Sequence, residues 1–410
     1  MSKRYLTAQE AADRLDISLS TLYAYVSRGL IRSEQTAEGK RQRRYYAEDI
    51  DKLLARKEGR KNPEKLARDA LHWGAPVMDS AITLIDGGKV YYRGQDVEEL
   101  AREHTLEEIA ALIWTGTTDD AHELFDFEIH ISAQKYETML LHMELDGVFL
   151  TPIQELQTFL PAAAADDMTA YDLRASVVPA TGARILRLMG SVLAGDVPEN
   201  VSVAEMLQRG WCPDQPQAID LFNIALIVMA DHELNASSFA ARVVASSGAT
   251  PYAAVLGGLS ALQGIKHGGY TERVDALFNE AGDKGNIRAV IAARLRRGES
   301  IPGFGHKLYP DGDPRARTLI DAIRATYPDS PEVKLANAAI ASAQELMGDA
   351  PSVDTAVVIL SRVLNLPEGS ALGLFALGRT VGWIGHAIEQ YERDRMIRPR
   401  ARYVGDHPQN

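Results

Sequence analysis

Through most of this chain, apolar residues recur every three to four positions, the spacing that lines one face of an α-helix. Segments 96–103, 106–114, 218–234, 237–245 and 371–391 keep this period and read as helices. One stretch breaks it. Residues 81–94, AITLIDGGKVYYRG, alternate with a period of two around Asp86-Gly87-Gly88, which predicts two short strands and a tight turn. Few other segments read as strands. The predicted class is therefore mainly α, with many helices packed in layers.

The first sixty residues differ in pattern. Thr7 and Glu10 form a T-x-x-E capping box that opens a helix carrying Ala8, Ala11, Ala12 and Leu15. Residues 16–18 predict a turn. Ser18 then caps a second helix over 19–28, with Leu22, Tyr23 and Val26 as its apolar positions, and Gly29 stops it. Two short helices about a tight turn make a helix-turn-helix pattern. Glu38-Gly39 predicts a hairpin with Lys40, Arg41, Arg43 and Arg44 on its return, and a third helix follows over 47–56. Over about residues 4–57 this resembles the winged helix-turn-helix of excisionases and of mercury-resistance-type regulators. On that reading Ser20, Thr21 and Tyr25 face the major groove and the hairpin arginines grip phosphates. The alternative is a module that docks onto the body or onto another subunit. A single module binds weakly, so a dimer is expected to present two.

Length and charge sharpen the division. A chain of 410 residues predicts two or three units. Residues 1–70 carry 16 basic and 11 acidic side chains, a net of +5; the remainder carries 28 and 45, a net of −17. A small basic module on an acidic body is the implied arrangement. Residues 58–75, polar and interrupted by Pro63, read as a linker with a short helical piece. The single cysteine, Cys212, excludes a disulfide scaffold and a clustered-cysteine zinc site. The N-terminus lacks an apolar signal core, and the apolar run Leu221–Ala230, broken only by Asn223, is too short to span a bilayer. A cytoplasmic protein with no membrane partner is expected.

Candidate chemistry gathers in the body. Three histidines stand out: His232 in ADHELNASSFAARVVASS, His267 in LQGIKHGGYTERV and His306 in IPGFGHKLYPDGDPRAR. A zinc-type H-E-x-x-H would need histidine at 236, where the chain has Ala236, so no metal is expected. A lone histidine is usually structural, but His267 and His306 adjoin glycines, which let a ligand approach the backbone closely. Arg315 follows Asp313-Pro314. Arg379 lies among Gly378, Gly382 and Gly385, whose small size predicts close helix packing and a buried guanidinium in need of an anion. Arg398, Arg400 and Arg402 sit near the C-terminus beside Pro399. Several arginines with several histidines suit a small dicarboxylate. Asp354 follows Ser352, the predicted N-cap of a helix. It sits in the first turn with Val353, Val357 and Val358 to desolvate it.

Together these segments resemble citrate synthase. The matching blocks run in the family's order across about residues 76–405 and include IDGGKVYYRGQDVEELA, HGG, PGFGHKLYPDGDPRA, SVD, ALGRTVGWIGHAIEQ and RPRARYVG. The resemblance implies multi-helical large (76–266 and 354–410) and small (267–353) domains behind the helix-turn-helix of residues 1–57. It implies a homodimer that condenses acetyl-CoA with oxaloacetate, a tricarboxylic acid cycle reaction, with no tightly bound cofactor and acetyl-CoA as co-substrate. By position, Asp354 matches the family's general base, His267 the donor to the enolate oxygen and His306 the donor to the oxaloacetate carbonyl. His232, Arg315 and Arg379 match oxaloacetate ligands, and Arg398 matches an arginine that reaches the neighbouring subunit's site. Ile301, Gly303, Phe304 and Lys307 fall where the family holds CoA. Two departures stand out. Around the acid, Ser352 replaces the family's common asparagine, Thr355 an aromatic residue and Ala356-Val357 a Ser-Gly pair, and Pro310 occupies a position that is often basic. They leave a propionyl-CoA or citryl-CoA substrate open, as they do a DNA-binding regulator whose body senses the metabolites.

Overall fold

The structure is a computed structural model that describes residues 5–35, 43–47, 49–50, 53–54, 77–127, 150–195, 201–284 and 286–408. The Glu38-Gly39 turn, Lys40 and Arg41, the linker 58–75 and part of the third predicted helix lie outside these residues. The chain divides into two compact units, Met1–Asp79 and Ser80–Asn410.

In the first unit, strand β1 (Tyr5–Leu6) leads into helices α1 (Ala8–Leu15) and α2 (Leu19–Ser27), followed by β2 (Ser33–Gln35) and β3 (Arg43–Tyr46). β3 lies between β1 and β2, antiparallel to both. The capping box forms as expected: Glu10 N–H donates to Thr7 Oγ1 and Thr7 N–H to Glu10 Oε2. Asp16, in the left-handed region at φ 53°, turns the chain toward Ser18, whose hydroxyl oxygen caps α2 at Thr21 N–H. Ala11, Ala12, Leu15, Leu22, Ile31, Tyr45 and Ile50 form the core. Tyr23 is 52% exposed, whereas Tyr25, expected on the outward face, packs against the core. Leu22, Tyr25 and Val26 follow the i, i+3, i+4 spacing of one helical face, and Tyr23 falls off it. The outward face therefore carries Ser20 and Tyr23, not Tyr25.

The second unit opens with a small antiparallel sheet, β4 (Thr83–Asp86), β5 (Lys89–Tyr92) and β6 (Gln95–Asp96). Asp86 pairs with Lys89, so Gly87 and Gly88 alone make the turn. Both have positive φ, 59° and 80°, which is the tight hairpin geometry that glycine allows. The rest is helical, as expected. The helices are α3 (Val97–Glu103), α4 (Leu106–Thr115), α5 (Ala121–Phe125), α6 (Pro152–Asp166), α7 (Val178–Ala194), α8 (Val203–Trp211) and α9 (Ala218–Met229). They continue with α10 (Ala236–Ala245), α11 (Pro251–Leu262), α12 (Tyr270–Lys284), α13 (Ile287–Arg296), α14 (Pro314–Thr326), α15 (Pro331–Met347), α16 (Val353–Val363) and α17 (Ser370–Arg393).

α17 runs through the core. It is long and apolar enough to cross a membrane, but its apolar stretch is almost wholly buried inside the fold. Its glycines allow this burial. A Cβ at Gly378 would lie 2.7 Å from Leu226 O, one at Gly382 2.3 Å from Asp231 Oδ1, and one at Gly385 2.7 Å from Ile113 Cγ2.

α9 departs from the sequence reading. It ends at Met229, although the apolar pattern continued to residue 234. Tertiary bonds overrule the local pattern. Ala230 O accepts from Gly382 N–H at 2.9 Å. The Tyr92 hydroxyl accepts from Asp231 N–H and donates toward the carbonyls of Ile227 and Asp231. Glu233 then turns at φ 52°. His232 thus leaves the helix and sits on a bent, buried segment.

Candidate active site

The broken end of α9 places His232 opposite the loop that precedes α14. His232 Nε2 lies 2.7 Å from the Tyr309 hydroxyl, and its ring is 5.5 Å from that of His306. Burial, then the cations Arg315 and Arg379, push His232 well below the usual histidine pKa. His306 is lowered in the same way by burial and Arg315. Its Nδ1 accepts from Leu308 N–H at 3.2 Å. A neutral His306 therefore carries its proton on Nε2, where it is a donor.

His267 closes a third side. It follows α11 in a tight turn, and its Nε2 lies 2.8 Å from Ser237 Oγ at the start of α10. Burial, then Arg379, lowers it to about 4. Ser237 Oγ also lies 2.8 Å from Asn235 Oδ1, which already accepts from Ser237 and Ser238 N–H. The hydroxyl has one proton to give. If it goes to His267 Nε2, the histidine is a donor at Nδ1; if it goes to Asn235, His267 must donate to Ser237.

Two buried arginines supply positive charge. Arg315, 3% exposed, is paired bidentately with Asp313 at 3.0 and 2.8 Å. Burial opposes its charge, but Asp313 outweighs it and raises the Arg315 pKa. Arg379, 1% exposed, projects from α17 and donates Nε–H to Met229 O at 2.8 Å. Among the described residues, no carboxylate lies within ion-pair distance of it. Burial lowers it to about 10, so it remains a cation at neutral pH. The anion predicted for this guanidinium is not supplied by a paired side chain. Asp231 gives a more distant counter-charge; burial would raise its pKa, but His386 and Arg379 hold it low. The Asp231 carboxylate takes the Thr83 hydroxyl at 2.6 Å and faces His386 Nε2 at 3.2 Å.

Asp354 lies half-buried in the first turn of α16. Burial raises its pKa, against the hydrogen bond from Ser352 and the charge of Arg315. Ser352 occupies the N-cap, but its hydroxyl donates to Asp354 Oδ2 at 3.1 Å and does not cap the helix. The predicted capping bond is thus corrected.

The structure therefore brings together His232, His267, His306, Arg315, Arg379 and Asp354. Arg398 stands apart, exposed on the chain beyond α17, with no hydrogen bond or ion pair among the described residues. Ile301, Gly303 and Phe304 are buried, and Lys307 is exposed. Two glycines of these blocks are required by the protein's own packing: at Gly303, with φ 84°, a Cβ would meet Thr355 Oγ1 at 2.1 Å, and at Gly268 it would meet Leu262 at 2.6 Å. Gly305, which adjoins His306, is exposed, and a Cβ there would meet the Asp349 side chain at 3.1 Å. Tyr309, Ser237 and Asp313 join the site without having stood out in the sequence, Asp313 beyond its place next to Arg315. Asp313 carried a signal, an Asp-Pro pair at a helix start.

The site thus gathers two buried cations, three histidines and one carboxylate. Comparison with known proteins bears on the family of the chain. A family model described as citrate synthase, C-terminal domain, matches residues 70–400, and one described as helix-turn-helix domain matches residues 5–58. A citrate synthase of Haloferax volcanii is 32% identical over 366 residues, covering 81% of this chain and 94% of its own length. A 2-methylcitrate synthase of Mycobacterium tuberculosis is 29% identical over 340 residues, 77% of this chain and 84% of its own. Among solved structures, citrate synthase from Thermotoga maritima superposes with a TM-score of 0.70 at 28% identity, over 82% of this chain and 96% of its own. The citrate synthase from Thermoplasma acidophilum, solved as a ternary complex with carboxymethyl-CoA and oxaloacetate, gives 0.69 at 25%, over 82% and 96%.

Proposed function

The chain belongs to the citrate synthase family, and from that membership we propose how its own residues carry the reaction: acetyl-CoA and oxaloacetate, with water, give citrate and free CoA. The observation that carries the assignment is the pair of buried cations, Arg315 and Arg379, facing three histidines and the half-buried Asp354.

Oxaloacetate binds with its carboxylates toward Arg315 and Arg379 and is contacted by His232. Nε2–H of neutral His306 donates to the keto oxygen and polarises the carbonyl carbon. Asp354 removes a methyl proton from the acetyl thioester, while His267 donates to the thioester oxygen as enolate character develops. This role needs the His267 tautomer with its proton on Nδ1, hence a Ser237 hydroxyl turned toward Nε2. The enol carbon attacks the keto carbon, and His306 stabilises the alkoxide that forms. Water then cleaves the citryl thioester and releases CoA. No tightly bound cofactor is needed.

The large (76–266 and 354–410) and small (267–353) domains close over this cleft and exclude water until the carbon–carbon bond exists. The chain acts as a homodimer, and Arg398 of the partner subunit completes each site. Its exposure beyond α17 supports that reading. CoA lies along Ile301, Gly303 and Phe304, with Lys307 outside in reach of phosphate. A cytoplasmic location suits these substrates.

The test is direct. Purified chain given oxaloacetate and acetyl-CoA releases free thiol; no release above background, with propionyl-CoA also inert, overturns the assignment. Thr355 beside the base, where the family commonly has an aromatic residue, supports a second reading in which propionyl-CoA is accepted to give 2-methylcitrate. One methyl group is worth about 1–3 kcal/mol of discrimination, so rates with the two acyl-CoAs measured side by side decide it. The helix-turn-helix unit supports a further role, DNA binding by residues 1–57 of the dimer. No shift of duplex DNA at low salt contradicts it.

A further inference from the structure

Asp313 has no part in the roles above, yet its one carboxylate bonds both Arg315 and the backbone N–H of Val353, the residue before Asp354. Its place is set locally. It precedes Pro314, the first residue of α14, and caps that helix by accepting from Arg315 N–H at 3.1 Å. The same carboxylate takes the Arg315 guanidinium, Nε at Oδ1 and Nη2 at Oδ2. A fourth bond leaves the helix altogether. Oδ2 accepts from Val353 N–H at 3.1 Å, forty residues further along the chain.

That N–H is one of the orphan donors at the start of α16. Ser352 holds the N-cap position in extended backbone, but its hydroxyl is given to Asp354. The side chain that local sequence offers as a cap is diverted to the acid, and Asp313 supplies the cap in its place. Asp313 and Arg315 are each 3% exposed, so these bonds are shielded from water. Charge-assisted bonds in such surroundings are about twice as strong as neutral ones.

We propose that Asp313 is a positioning residue that couples the two substrate sites, so that engagement of a dicarboxylate by Arg315 sets the orientation of Asp354. The inference rests on the assignment of Arg315 to oxaloacetate and of Asp354 to the acyl-CoA methyl group. The Nε–Nη2 edge of Arg315 is committed to Asp313, which leaves the Nη1 side for substrate. A carboxylate arriving there draws on the guanidinium. Asp313 follows because it is held at two points, and Val353 N–H follows Asp313. Asp354 is the next residue. A small displacement matters there, because proton transfer requires the base within hydrogen-bond reach of the methyl group. Coupling of this kind is reciprocal: an acyl-CoA analogue seated against Asp354 must tighten the dicarboxylate by the same factor.

A cap with a structural role alone would change stability and leave that factor untouched. The experiment therefore measures the factor. The full chain is titrated with carboxymethyl-CoA, a thioether that cannot be hydrolysed, with and without saturating oxaloacetate. In the wild type, oxaloacetate tightens carboxymethyl-CoA by about tenfold or more. In Asp313→Asn the ratio falls to within about twofold of one, while carboxymethyl-CoA alone binds within about threefold of wild type. Asp313→Glu restores part of the coupling. A folded Asp313→Asn protein that keeps the wild-type ratio overturns the proposal, as does a wild type with no coupling. A wild type that fails to bind oxaloacetate at all overturns the site assignment beneath it, and the two failures are thus distinct. Should Asp313→Asn not fold, hydrogen exchange of the wild type decides: oxaloacetate slows exchange over Ser352–Ala356, and unchanged exchange there contradicts the proposal.

Discussion

As the proposed general base, Asp354 must be charged in a place that disfavours charge. Burial raises its pKa, and the chemistry still needs the carboxylate. Asp354→Asn should reduce turnover by about 10²–10⁴-fold with oxaloacetate affinity largely kept, as steady-state kinetics and equilibrium binding can establish. The same variant should melt higher than wild type above neutral pH. A folded pKa above the unfolded one means that ionisation weakens folding. The penalty is absent below the unfolded pKa, grows as pH rises and is complete above the folded pKa. Melting curves at pH 5 and pH 8 test this, and an Asn variant with no added stability at the higher pH contradicts it. The histidines predict a further pH effect. His232, His267 and His306 are all lowered by burial and by arginine charge, His267 to about 4. They should therefore be uncharged at neutral pH. The imidazole NMR signals of all three should stay constant between pH 7 and pH 8; one that titrates in that interval speaks against these surroundings. The histidines, arginines and acid were legible in sequence because each lies in a recognisable block. Asp313 was not legible as a cap for α16, since its bond to Val353 spans forty residues and no local pattern records it.

Helix ends show the same limit. The capping box at Thr7 and the Gly87-Gly88 turn were legible because they close within a few residues. The end of α9 was not, because Tyr92 and Gly382 stop it from elsewhere in the chain. Gly382 is therefore critical. An added Cβ would sit 2.3 Å from Asp231 Oδ1, the carboxylate beside His232. Gly382→Ala should cost about 1–3 kcal/mol of stability and raise KM for oxaloacetate more than for acetyl-CoA. Equal KM values in wild type and variant would show that Asp231 does not seat His232. In the first unit the two tyrosines of α2 exchange their expected roles. Tyr25→Ala should destabilise that unit by about 1–3 kcal/mol, while Tyr23→Ala should stay within about 0.5 kcal/mol. Denaturation followed by a probe confined to residues 1–57 distinguishes them. Any DNA contact by α2 should then depend on Tyr23 and Ser20.

The chain as a whole joins a helix-turn-helix unit to a body that by itself spans nearly the full length of its citrate synthase relatives. Composition and charge foresaw that division, and the ordered blocks foresaw the body. The body's central helix, α17, threads the core and delivers Arg379 beside a break in α9, an arrangement that depends on three glycines and that residue spacing alone suggests only as close packing. On the proposed mechanism this buried constellation joins an acetyl group to oxaloacetate with Asp354 as base. The most direct measurement follows citrate and free CoA formed from acetyl-CoA and oxaloacetate by wild type and Asp354→Asn at equal concentration. The wild type should form citrate and thiol in equal amounts, and the variant almost none. Equal product from both, or none from a folded wild type that binds both substrates, would contradict it.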